Sequence, residues 1–264
     1  MGSVNLFPRL VRSSSSFFRR SLYSNALLRP SNSTPTRPLV HHQIYPPRSS
    51  YRMNTMSSHV CIRESLALLP FNKWGWVIYR CSYTDDKAWA QFRTLTESNS
   101  RTDIAESDAP EIADCLEWKW VEDRASLDGA STAELRDRFR AWVADEVAQQ
   151  PAGQDLEDVS RLKYFIKIDE EVMQSLAGFL EKRWSVKAFV KIVKADWEPE
   201  VEEDAEFERE KDIYEPIEGC TEKDVGWMRI APIMINAEFY NALDGYEQAW
   251  DDMFYQRPPD IVVW

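Results

Sequence analysis

The sequence predicts an α+β fold: a two-layer sandwich, ferredoxin-like or a variant of it, with a mostly antiparallel sheet and helices on one face. Three observations lead there. Strand-like and helix-like segments alternate from residue 73 to 193 and then give way to a mixed end. Each strand-like segment carries one apolar face and one mixed face, the pattern of a sheet covered on one side. A doubly wound parallel sheet is the second choice. It calls for strands apolar on both faces and a glycine-rich first turn, and the chain has only eight glycines.

The elements follow in order. "KWGWVIYRCSY" (73–83) is dense in β-branched and aromatic residues and reads as a central strand. "TDDKAWAQFRTLTE" follows as a helix, with Thr84 as N-cap, Asp85 and Asp86 in the first turn, and Trp89, Phe92 and Leu95 as its apolar stripe. "SNSRTDIAESDAP" (98–110) reads as a loop. "LEWKWVEDR" (116–124) alternates and predicts a half-buried strand. "SLDGAS" turns the chain. Ser131 and Glu134 form a capping-box pair ahead of a helix whose buried face is Leu135, Phe139, Trp142, Val143 and Val147. "RLKYFIKID" (161–169) is a third strand. Asp169 caps a helix carrying Val172, Met173, Leu176, Phe179 and Leu180. "SVKAFVKIV" (185–193) is a fourth strand and "VGWMRIAPI" a fifth. "NAEFYNALDG" is a short helix, and "YEQAWDDMFYQRPP" a second helical piece that stops before Pro258.

Charge divides the chain. Nine of its 32 basic residues and none of its 44 acidic ones fall before residue 64, so the remainder carries a net charge of −21. Residues 1–60 are rich in arginine and serine, the composition of a disordered organellar transit peptide. Leu6, Leu10, Val11, Phe17, Phe18 and Leu22 line up on one side of a helix, with arginines opposite. Mitochondrial import is the expectation. Translation from Met53 or Met56, giving a cytoplasmic protein, is the alternative. Residues 61–264 read as one α+β domain with an acidic loop at about 196–218, ten acids lying between 196 and 212. So acidic a body argues against nucleic acid as a partner, because that affinity rests on neutralising phosphates. No apolar run approaches the roughly 18 residues that span a membrane.

The chemistry is bounded by what is missing. His41, His42 and His59 all lie in or beside the arginine-rich segment, so the body has no Ser-His-Asp or Cys-His arrangement and no histidine metal site. Cys61, Cys81, Cys115 and Cys220 match no zinc or disulfide spacing and read as free thiols. No phosphate-cradling or nucleophile-elbow motif occurs. Neither a cofactor nor a metal is expected.

Alternation places Lys119, Lys163, Phe165, Lys167, Lys187, Phe189 and Lys191 on the outward sheet face. They form a candidate platform for a small molecule or an acidic peptide. The competing readings are strand solubility and an internal pairing with the acidic loop. Trp74, Trp76 and Trp227, with Arg80 and Arg229 near them in strand positions, form a candidate pocket against the simpler reading of core packing. Carboxylates at strand ends are the remaining acid–base groups: Glu122, Asp123 and Asp128 beside Arg124, and Asp169, Glu170 and Glu171. Capping and helix dipoles explain the latter three equally well. Cys220 stands before a predicted turn. The expected function is non-catalytic binding. The alternative is a small cofactor-independent enzyme, of the ferredoxin-like monooxygenase or isomerase kind, with an aromatic pocket and a carboxylate or tyrosine as acid and base.

At "WGWVIYRCSY", "EDRASLDGAS", "GCTEKDVGWMRI" and "FYQRPP" the body resembles a large group of uncharacterised proteins predicted from filamentous fungi. The likeness extends over most of 73–259. It implies no activity and no catalytic residue, and it favours mitochondrial over plastid import.

Overall fold

A computed structural model describes residues 56–69, 71–151, 156, 159–182, 185, 187–199, 214–244 and 248–263. Residues 1–55, most of the 1–60 segment read as a transit peptide, and 200–213, the central part of the expected acidic loop, lie outside the described residues. The body forms a six-stranded mixed sheet with helices on both faces.

The strands are β1 (Val77–Arg80), β2 (Lys119–Val121), β3 (Tyr164–Ile168), β4 (Val190–Lys194), β5 (Trp227–Ile230) and β6 (Ile261–Val262). Their order across the sheet is β2-β1-β3-β4-β5-β6. β1 runs parallel to both β2 and β3, β3-β4 and β4-β5 are antiparallel, and β5-β6 is parallel. The described helices are α1 (Ser58–Leu68), α2 (Asp86–Ala105), α3 (Arg124–Leu127), α4 (Thr132–Ala148), α5 (Ser160–Lys163), α6 (Glu170–Lys182) and α7 (Ala237–Asp244), and Ala249–Phe254 is π-helical.

Alternate residues of one strand enter different cores. Trp76 and Ile78 join a large cluster with α2, α6 and α7, while Val77 and Tyr79 join a second cluster with Leu135 and Phe139 of α4. The arrangement is therefore three-layered where one covered face was expected, and its first half, β2-β1-β3, has the parallel order of the doubly wound alternative. The reason is connection length. α2 links β1 to β2 and α4 links β2 to β3, and a crossover helix returns the chain to the same end of the sheet, which makes the strands parallel. β1 and β3 are buried at every position, as that alternative requires. Lys167 sits at a buried position of β3 and makes its pattern look half-exposed.

The helices form for the reasons the sequence gives. Ser131 and Glu134 complete both halves of the capping box of α4. Asp169 Oδ1 accepts from the Val172 amide and starts α6. α2 begins after Asp85, one residue past the expected cap, and runs through "SNSRTDIA", which read as a loop. Ser100 and Thr102 return their hydroxyls to the carbonyls of Thr96 and Ser98, so these polar residues stay inside the helix. α1 begins at Ser58, inside the segment read as leader, and buries Ile62 in the large core.

Candidate functional site

At the carboxyl ends of β1 and β3 the chain leaves in opposite directions along the sheet, toward β2 after β1 and toward β4 after β3. Open α/β sheets bind ligands at such a switch point. Here it holds a crevice of about 480 Å3. Cys81, Ser82 and Thr84 line it from the end of β1, Asp128 to Ser131 from the turn before α4, and Lys167, Asp169, Glu170, Glu171 and Lys191 from the ends of β3 and β4.

Its floor is a row of cations. Lys167 pairs across the sheet with Lys191, and Lys191 with Arg229. The three lie on the face covered by α4, not on an open surface, and Lys167 and Lys191 are only 6% and 7% exposed. Carboxylates from the start of α6 offset them. Lys191 Nζ lies 2.7 Å from both Asp169 Oδ2 and Glu171 Oε2, and Arg229 pairs with Glu171. Lys167 is served less well. Its Nζ is 3.7 Å from Asp169 Oδ2 and donates one 3.3 Å hydrogen bond, to Thr132 Oγ1. An ammonium has three donors.

The rim is acidic and hydroxylic. Glu170 Oε2 accepts from Ser82 Oγ at 2.6 Å and from Thr84 Oγ1 at 2.7 Å, and Gln174 donates to its other oxygen. These bonds, Ser82's first, hold the Glu170 carboxyl below the usual glutamate range. Burial pushes the Cys81 thiol up to about 12, against the opposing pull of Lys167, so it is not a thiolate near neutrality. All four cysteines are free thiols.

The other residues singled out by sequence fall apart spatially. Lys163 ends α5 and Lys187 stands exposed in the turn before β4, so neither extends the lysine row. Phe165 is buried against α4, and Phe189 packs into the large core with the Arg229 guanidinium 4.3 Å above its ring. Lys119 lies on edge strand β2, over the Trp142 ring. Trp74 and Trp76 are core residues whose indoles donate to Ile112 O and Ser160 Oγ. Trp227 packs in the α4-side core, away from them. Arg80 points to the opposite face from Arg229, held by Asp86 and Glu122 between the rings of Tyr83 and Trp89. The five therefore build no common aromatic pocket. Of the strand-end carboxylates, Asp128, Asp169, Glu170 and Glu171 converge on the crevice, whereas Asp123 caps α3 and Glu122 pairs with Arg80 and Arg93. Ser82 and Thr84 were missed. A hydroxyl pair directly after a buried strand is the signal that points to them.

Fold and site together define a three-layer mixed α/β protein with a polar crevice at its switch point. Compared with known proteins, the chain matches no family model, no curated protein and no solved structure. Among the described residues no group of three or more His, Cys, Asp or Glu is placed to hold a metal ion, and no helix is long and apolar enough to cross a membrane.

Proposed function

We propose that the protein is a non-catalytic binding protein that holds a small polar molecule in the switch-point crevice. The observation that carries this reading is Lys167. It is a buried ammonium on the crevice floor with donors to spare, in a position where the fold commonly places ligands. An acceptor group on the ligand would complete its hydrogen bonding. Asp128 and Glu170 on the rim oppose an acidic peptide and favour a ligand that carries a donor or a positive charge at its other end. Resolved pKa shifts support binding over acid–base catalysis, which works best with a group titrating near the operating pH. In the crevice, burial pushes Cys81 up to about 12 and hydrogen bonds from Ser82, Thr84 and Gln174 hold Glu170 low; the carboxyl that burial raises, Asp224, lies outside it.

The test is native mass spectrometry of the purified full chain beside Lys167→Met, a change that leaves the Lys191–Asp169 pair in place. A small polar molecule should accompany the wild type and be lost from the variant. Retention by the variant, an empty wild type, or chemical conversion of the bound molecule would each overturn the reading. We also propose that residues 1–55 direct import into mitochondria. A fluorescent protein fused behind them should enter the organelle, and a diffuse cytosolic signal would refute this.

A further inference from the structure

A second groove, of about 750 Å3, lies on the α4 side of the sheet. Arg136 and Arg140 of α4 form one wall, Trp197 stands on the connection after β4, and the hairpin around Glu218 and Cys220 closes the other side. It uses neither lysine of the crevice.

The groove is rigidly built. Ile217 and Cys220 exchange both backbone hydrogen bonds, at 3.0 and 2.9 Å, around Glu218 and Gly219. Both turn residues have positive φ, 51° and 88°. For glutamate this is an unfavourable backbone, of the kind that persists where surroundings over-determine it. Here Thr132 Oγ1 donates to Glu218 Oε1 at 2.9 Å. Arg257 clamps the hairpin from outside through the carbonyls of Glu215 and Cys220. Tyr255 donates to Lys223 O at 2.8 Å and accepts from the Val225 amide at 2.9 Å.

Within this frame the two arginines are fixed but only partly used. Arg136 is 7% exposed. Its Nε donates to Lys194 O at 3.1 Å and its Nη2 to Gly226 O at 3.0 Å, and the guanidinium lies 4.8 Å from the Trp197 ring centre. Gly226 is required for this approach, because a Cβ there would stand 2.4 Å from Arg136 Nη2 and from the Trp197 ring. Arg136 Nη1 makes no hydrogen bond to a described residue. Arg140 uses only Nε, on Ala195 O at 3.0 Å, leaving both terminal nitrogens. No carboxylate of the described residues comes within the 4.0 Å of an ion pair with either guanidinium. Two like charges one helical turn apart repel, and the acids that act on Arg136, Glu218 first and then Asp224 and Asp196, do so from beyond ion-pair distance. Glu218 in the wall also accepts from Thr132.

We propose that this groove binds a small oxyanion carried on a flat apolar body. A carboxylate or a phosphate monoester would accept from Arg136 Nη1 and the terminal nitrogens of Arg140, in the forked geometry that arginine offers, and the flat body would lie against Trp197. Exposed Asp137 and Glu198 at the rim repel a polyanion, so neither an acidic peptide nor a nucleic acid fits.

The test is calorimetric titration of the full chain with phenylacetate, phenyl phosphate, inorganic phosphate and neutral phenylacetamide. At least one aryl anion should bind, and whichever binds more tightly identifies the anionic group. Phenylacetamide should bind at least tenfold more weakly. Arg140→Gln should weaken the aryl anion at least tenfold without moving Tm by more than a degree or two, since Arg140 is exposed and holds one carbonyl. Glu170→Gln, whose hydrogen-bond partners Ser82, Thr84 and Gln174 lie outside this groove, should leave the affinity unchanged, which separates this site from the crevice. No aryl anion bound at millimolar concentration, equal binding of phenylacetamide, equal binding of inorganic phosphate, or undiminished binding by Arg140→Gln would overturn the proposal.

Discussion

On the α2, α6 and α7 side of the sheet, indole N–H groups find partners as they go into the core: Trp74 on Ile112 O, Trp76 on Ser160, Trp118 on Ser100, Trp120 on Glu97. On the α4 side, Trp227 buries its N–H with no partner, as Arg229 does its Nε, and Lys167, Lys191 and Arg136 all lie below the surface. The first face also buries a charge, Arg80, but pairs it with both Asp86 and Glu122. The second face carries several buried charges, a kind of group that well-packed apolar residues often replace without loss of stability. Both grooves argued to be sites open on the second face or at its edge. The contrast teaches where to look in a molecule of this kind. Function is sought on the layer whose buried polar groups are less well satisfied.

The comparison can be broken by stability measurements. The largest effect is expected from Trp76→Ala. Trp76 is fully buried among Trp118, Phe239 and Tyr240, and its removal should cost about 4 kcal/mol in urea unfolding at pH 7. A loss under 1 kcal/mol would show that the first face is not the stabilising one. Next comes Asp169→Ala, which strips the shared partner of two buried lysines and should cost about 3 kcal/mol. Adding Lys191→Met to it should recover part of that loss; no recovery would mean that Asp169 acts only as the cap of α6. Ser131→Ala removes one half of the capping box on the long helix covering the second face, and should cost about 1 kcal/mol.

The smallest effect is that of Glu170→Gln, and it depends on pH. The folded-state pKa of Glu170 is lowered from 4.5, so its contribution is present above that value and is lost as pH falls through the folded pKa. Wild type and variant should therefore differ in urea midpoint at pH 6–7 and converge in acid, as pH falls through the lowered folded-state pKa. A difference that persists in acid would place the contribution in packing, not in charge.

Much of the fold was legible. Five strands, the capping box at Ser131 and the start of α6 at Asp169 follow from period and cap chemistry, which act over a few residues. Parallel pairing was not, because it depends on whether each connecting helix carries the chain back to the same end of the sheet, and neither β1 nor β3 encodes that locally. The lysine row shows the same limit. Alternation placed Lys167 and Lys191 together on one face with Phe165, and the register bears this out. It could not tell that α4 would cover that face, and a lysine in a strand reads as solvent whether or not carboxylates from another element meet it. The stretches "WGWVIYRCSY", "EDRASLDGAS" and "GCTEKDVGWMRI", far apart in sequence, contribute Ser82, Asp128 and Cys220 to the two grooves. Arg136 and Arg140, four residues apart beside the apolar stripe of α4, were the missed signal.

The sheet also ends in a particular way. Its outermost strands are the three residues of β2 and the two of β6. A strand arriving from another chain needs a row of free amides and carbonyls to zip onto, and stubs of this length provide few. The wide, apolar middle of the sheet is thus fenced at both margins. Chains released side by side and at high local concentration would meet as separate bodies, with little to begin the edge-to-edge joining that turns β-rich proteins into fibres.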